Sequence, residues 1–101
     1  MQIRPFYTYY VAHVIRQYFA DLQPTNPTKA YTHNLDCAGR VIRSLSEADR
    51  DILKDLYHDL KGMPMNAKVE VAAAQRQMDK SKVWNLVFET ERRIAQEREL
   101  I

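Results

Sequence analysis

Toward the end of this 101-residue chain, Lys82, Asn85 and Glu89 are spaced by three and then four residues. On a helix that spacing places all three on one face. These side-chain types can read base edges in a DNA major groove. A lysine donates to guanine acceptors, an asparagine pairs bidentately with adenine, and a glutamate accepts from cytosine N4. Arg76, Lys80, Arg92 and Arg93 lie around them and are the kind of cation that holds phosphates, which fixes register without reading sequence. The same stripe equally fits a solvated helix face, held by an intrahelical pair such as Glu89 with Arg93 at i,i+4.

Other chemistry is sparse. His13, His33 and His58 fall on different expected elements, and no pair of them has metal-ligand spacing. His33 and Cys37 are four apart and share a helix face, but no orienting acid or further ligand accompanies them. There is no glycine-rich phosphate loop and no nucleophile elbow. The expectation is a protein that is not an enzyme, with no metal and no cofactor.

The elements that would position the stripe follow from composition and periodicity. With 46% hydrophobic residues, 2 glycines and 4 prolines, the chain fits one helical domain of 101 residues rather than a turn-rich β fold. The formal net charge is only +2, so a nucleic-acid site has to be a local patch. Residues 1–30 carry +2, residues 31–60 carry −2 and residues 61–101 carry +2. The single cysteine, Cys37, excludes an intrachain disulfide and suits a reducing cytoplasm, where a small buried hydrophobe is its expected role. No signal peptide is expected at the N-terminus, and no apolar run approaches the ~20 residues of a membrane span.

Pro5 fits a helix first turn, and the helix beyond it places Tyr7, Val11, Ile15, Tyr18 and Leu22 on one stripe, with Phe6, Tyr10 and Val14 beside them. So wide an apolar arc predicts a helix wedged between two others, or one whose Tyr7, Tyr10 and Tyr18 also contact a partner or a second copy. Gln23 to Lys29, with two prolines, is a loop. Ala30 to Leu45 is a second helix with Gly39 inside it, where a glycine can admit close helix–helix contact. Ser44 with Glu47 has capping-box spacing for a third helix, and Ser46 with Asp49 is a weaker variant. That helix carries Ile52, Leu53, Leu56, Tyr57 and Leu60 inward and ends at Gly62 as C′. Asn66 is the expected cap of a short helix from Ala67 to Met78. Asp79 or Ser81 caps the last helix, with Val83, Leu86, Val87, Thr90 and Ile94 inward. Trp84 and Phe88, one turn apart, fill the core against the N-terminal aromatics or, if exposed, stack on an unpaired base.

Leu45, Arg50, the Ile52-Leu53 pair and Tyr57, followed by a loop, the Ala-containing helix, Asp79 and Val83, form a pattern similar to sigma-factor region four and related regulators of phages and mobile elements. The resemblance covers Ser44 to about Arg98 and takes in Glu91-Arg-Arg-Ile-Ala95 as closing turns. In this chain Gln77 stands where that family carries a turn glycine. The resemblance implies an all-α fold of about five helices. Residues 1–43 would be an N-terminal helical extension and 44–98 a helix-turn-helix. It further implies a cytoplasmic DNA-binding transcription regulator whose last helix reads double-stranded DNA, with RNA polymerase or another host protein, or a homodimer, as further contacts. The competing expectation is a small interaction module or inhibitor that keeps the fold and binds a host protein or nucleoprotein complex. The acidic residues Glu89, Glu91, Glu97 and Glu99 favour it.

Overall fold

Every helix start after the first is set by a short polar side chain or a proline in extended backbone just ahead of it. A computed structural model describes residues 5–21 and 25–101; Leu22 of the first apolar stripe and the Gln23-Pro24 part of the loop lie outside them. The chain is all-α, with helices α1 (Thr8–Ala20), α2 (Lys29–Arg43), α3 (Glu47–Lys54), α4 (Met65–Arg76) and α5 (Lys80–Glu97). A π-helical turn, Asp55–Asp59, continues α3 without a break. There is no strand among the described residues.

Helix α1 packs on α2, on the π turn and on α5, the wedged position its wide apolar arc predicts. Val11, Val14 and Ile15 are fully buried. Tyr7 is buried as well, at 9% exposure, whereas Phe6 and Tyr9 stand out at 79% each. The Tyr10 hydroxyl donates to Asn34 Oδ1 at 3.0 Å, and Arg98 Nε donates to the same oxygen at 2.6 Å. One buried asparagine on α2 therefore ties α1 to the end of α5.

Helix α2 begins one residue before its expected start, because the Thr28 hydroxyl accepts from the Tyr31 N–H at 3.0 Å. Gly39 is buried under the Arg43 side chain rather than under another helix; a Cβ there would meet Arg43 Nη1 at 2.6 Å. The cap of α3 is Ser46, whose Oγ accepts from the Asp49 N–H at 3.1 Å. Ser44, the residue with capping-box spacing, instead closes α2. Its N–H bonds to the Val41 carbonyl oxygen at 3.1 Å, and its Oγ donates to the same atom at 2.6 Å. The α2 C-terminus needs partners for its last carbonyls, and a serine already folded back onto them cannot also cap forward.

The face Ile52, Leu53, Leu56 and Tyr57 is buried as predicted. The helix ends earlier than expected, at the i+5 bond from the Leu60 N–H to the Asp55 carbonyl oxygen (2.8 Å). Gly62 thus falls in the connection and turns it with φ +78°, a value that disfavours side-chain-bearing residues. Pro64, extended at ψ 160°, starts α4 at Met65, so Asn66 lies inside the first turn and is not its cap. Val69, Ala72 and Ala73 are buried, and their small size lets α4 pack closely on α5 and the π turn. Helix α4 ends in a Schellman-type turn. Met78 N–H reaches the Ala73 carbonyl oxygen at 3.0 Å, Gln77 N–H reaches that of Ala74 at 3.2 Å, and Gln77 takes the left-handed φ of 53°. Asp79 caps α5, its Oδ1 accepting from the Ser81 N–H at 2.9 Å.

Candidate functional site

Helix α5 is divided by its surroundings into two faces. Val83, Val87, Thr90 and Ile94 are buried against the other helices, and Leu86 is half-buried. Lys82, Asn85, Glu89, Arg92 and Gln96 are exposed on the opposite side. The three residues with base-reading chemistry therefore share one open face, with Lys80 at its start. The connection that aims this face is short: only Gln77, Met78 and Asp79 separate α4 from α5.

The cations around the stripe differ in how they are engaged. Lys80 Nζ lies 3.4 Å from Glu70 Oε1, with both side chains mostly in water. Arg92 pairs with Glu89 one turn back, with Nε at 3.1 Å from Oε2 and a second, shorter contact from Nη2 to Oε1. Glu89 thus pairs with Arg92 at i,i+3, not with Arg93 at i,i+4 as its spacing suggested. Arg93 Nη2 donates instead to Ser44 Oγ at 2.9 Å. The Lys82 and Asn85 side chains make no hydrogen bond or ion pair among the described residues.

Arg76 lies apart from this group. Its Nη2 contacts Asp55 Oδ2 at 2.7 Å and Asp51 Oδ2 at 2.8 Å, and its Nη1 donates to the Ala72 carbonyl oxygen at 3.3 Å. Burial works against its charge, but its hydrogen bonds to the two carboxylates outweigh it and raise its pKa above the ordinary arginine value. The side chain is 22% exposed and bridges α4 to α3 and the π turn. A residue in that position holds helices together, and its charge is already met.

Glu91, which by sequence counted as an acidic residue near the stripe, is 3% exposed. Its Oε2 accepts from the Tyr57 hydroxyl at 2.6 Å. It therefore faces the core and adds no negative charge to the outer face of α5. A pair separated by 34 residues leaves no local signal in the sequence. Thr90 Oγ1 is buried beside it with no hydrogen-bond partner among the described residues.

The three tyrosines expected at a partner contact divide likewise. Tyr7 is buried in the core. Tyr10 is 42% exposed with its hydroxyl on Asn34. Tyr18 stacks edge-on against Phe19, with centroids 5.3 Å apart, at an open cleft of about 540 Å³ also lined by Tyr31 and Leu35. The aromatics most open to water at this end of the molecule are Phe6, just ahead of α1, and Tyr9 within it, neither of them among the three.

Trp84 and Phe88 stack with centroids 5.4 Å apart and planes at 19°, half-buried and packed against the core. Cys37 is fully buried with its Sγ 3.9 Å from the His33 ring, and burial raises its pKa, the opposite of what activates a nucleophilic thiolate. Among the described residues no group of three His, Cys, Asp or Glu could hold a metal ion, and no helix is long and apolar enough to cross a membrane. Compared with protein-family models, curated proteins and solved structures, the chain matches none.

Proposed function

We propose that this chain is a DNA-binding transcription regulator of phage or mobile-element type, in which α4 and α5 act as a helix-turn-helix and α5 enters the major groove. The observation that carries this reading is the outer face of α5. Lys82 and Asn85 are exposed, with no side-chain hydrogen bond or ion pair among the described residues, Glu89 follows on the same stripe, and Lys80, Arg92 and Arg93 are close by. Lys82, Asn85 and Glu89 read base edges, and each good bidentate contact discriminates by ~1–3 kcal/mol. Lys80, Arg92 and Arg93 hold phosphates. Arg76, tied to Asp51 and Asp55, contributes by fixing the angle between α3 and α4. The pattern from Leu45 to Val83 that resembles sigma region four supports the same assignment, with RNA polymerase or another host protein as a second contact.

Titration of labelled duplex at two salt concentrations tests this. The expected outcome is binding that weakens steeply with salt, and a Lys82→Ala/Arg92→Ala variant with lower affinity and a slope shallower by roughly one. Absence of binding at low salt to a random-sequence pool would sink it. A second reading, an interaction module or inhibitor that binds a host protein, rests on Phe6 and Tyr9, large rings left in water at the start of α1. It predicts that changing those two residues to serine abolishes function while duplex binding is unaffected.

A further inference from the structure

The cleft between the end of α1 and α2 has two kinds of wall. Tyr18 and Phe19 of α1, with Tyr31 and Leu35 of α2, line it with half-buried ring and aliphatic surface. Asp21, which closes α1, and Asp36 of α2 add two exposed carboxylates to the same space of about 540 Å³. The ion pairs of the described residues take up Asp51, Asp55, Glu70, Glu89 and Glu97, and neither of these two.

The end of α1 sharpens the charge. The last carbonyls of a helix carry a partial negative charge, which a basic residue in the final turn offsets. Helix α2 has Arg40 and Arg43 there, whereas α1 has none and ends on an aspartate. At the other end of the cleft Arg43 lies back over Gly39, three residues beyond Asp36. It tempers Asp36 and repels a second cation, so the negative charge left to a ligand is at Asp21. Aromatic rings beside a carboxylate suit a cation, since ring faces attract it and the carboxylate accepts its N–H groups. A guanidinium uses both at once, its plane stacking on a ring while its fork engages the carboxylate; an ammonium is only a point charge.

The shape of the cleft indicates what carries that guanidinium. Tyr31 and Arg43 are twelve residues apart on α2, so the cleft runs about 18 Å along the helix. Small ligands are held in pockets that bury most of their surface. This cleft is open and would leave a free amine largely in water. An extended chain of about five residues spans the same length and can lay its own apolar side chains on Phe19 and Leu35.

We infer that this cleft docks a short extended segment of a partner protein, anchored by an arginine at the end formed by Tyr18, Tyr31 and Asp21. The site belongs to α1 and α2 alone and does not depend on DNA binding by α5. Of the three tyrosines expected at a partner contact, it uses Tyr18.

The test is an NMR titration of the full isotope-labelled chain with a capped Gly-Leu-Arg-Leu-Gly peptide. A second peptide carries citrulline in place of arginine, keeping the shape and losing the charge. The expected result is saturable shifts at Tyr18, Tyr31 and Leu35, with the citrulline peptide weaker by about fivefold or more. Asp21→Asn should weaken the arginine peptide by a similar factor. Asparagine tolerates the left-handed φ of 50° at that position, and urea midpoints check that folding is unchanged. Should the variant fold poorly, the two peptides on the wild-type chain still decide the question. Equal binding of both overturns the cation site, and no saturable shift at the cleft overturns the docking. Argininamide alone binding as tightly as the peptide overturns the assignment to a protein segment.

Discussion

At the C-terminal end of α3, Arg76 is enclosed by the carboxylates of Asp51 and Asp55; at its N-terminal end, Arg50 reaches the Arg43 carbonyl oxygen and Arg93 the Ser44 hydroxyl, while the Arg43 side chain folds back over Gly39. The four side chains have the same chemistry. What separates them is which acidic residues the fold brings near. Residues 31–60 hold 6 acidic and 4 basic residues, a mildly acidic balance that does not say where each charge goes. Folding sorts that charge: Arg76 meets two carboxylates where α3 and the π turn face α4, whereas Arg50 and Arg93 hydrogen-bond to neutral oxygens where α3 meets α2 and α5. A partly buried cation held between two carboxylates positions helices, whereas one in water on a single carboxylate or a neutral oxygen can exchange that contact for a ligand.

The largest expected effect breaks the first cluster. Arg76→Ala leaves Asp55, itself 20% exposed, without its partner and removes the link between α4 and the π turn. Breaking a fully buried pair costs ~3–5 kcal/mol. Asp51 is mostly in water and weakens the estimate, so a loss of about 1–3 kcal/mol is expected in urea denaturation. Arg93→Ala should cost less than about 1 kcal/mol, since only an exposed hydrogen bond to Ser44 is lost. If the two substitutions cost the same, the division between positioning and ligand-facing arginines fails.

The next effect sharpens the comparison at the turn itself. Ser46→Ala removes the cap of α3 and should cost about 1 kcal/mol. Ser44→Ala should cost less stability, because its hydroxyl closes α2 and receives Arg93 without satisfying an orphan N–H of α3. Its larger consequence should be a weaker hold on duplex. Thermal denaturation of both variants decides between the two serines; a larger loss for Ser44→Ala would show that the expected capping box forms in solution.

These serines show how much of the molecule could be read from sequence. The five helices, the inward faces of α3 and α5, and the Asp79 cap were legible, because each depends on periodicity or on partners within four residues. The outer stripe of Lys82, Asn85 and Glu89 was legible for the same reason. Two capping serines two residues apart were not separable, since the choice depends on how α2 ends. The bridge that Arg76 makes to α3 and the π turn was not legible, because its partners lie 21 and 25 residues away. Glu91 counted as surface charge because nothing local marks Tyr57 as its donor. At α1 the periodicity marked Tyr7, Tyr10 and Tyr18 on apolar stripes. Which of the neighbouring tyrosines faces water is fixed by packing on α2, the π turn and α5, and that leaves Tyr9 out and Tyr7 in.

The smallest effect concerns the one cation of the α5 face that pairs with a carboxylate of the reading stripe. The Arg92 guanidinium beside Glu89 holds its carboxyl below the ordinary glutamate range, first through the side-chain hydrogen bond and then through charge. The folded pKa lies below the unfolded one. The pair's contribution is therefore present above the unfolded value, near 4.5, and is lost as pH falls through the folded one. Both groups stand in water, so salt screens them and Glu89→Gln should move the denaturation midpoint at pH 7 less than Ser46→Ala does. The sensitive measurement is an NMR titration of the Glu89 carboxyl, which should be depressed in the wild-type chain and return to the ordinary range in Arg92→Ala. A normal titration in the wild-type chain would mean that Arg92 is as open to phosphate as Arg93. The boundary between met and unmet arginines would then run along α5, one residue earlier than the static contacts place it.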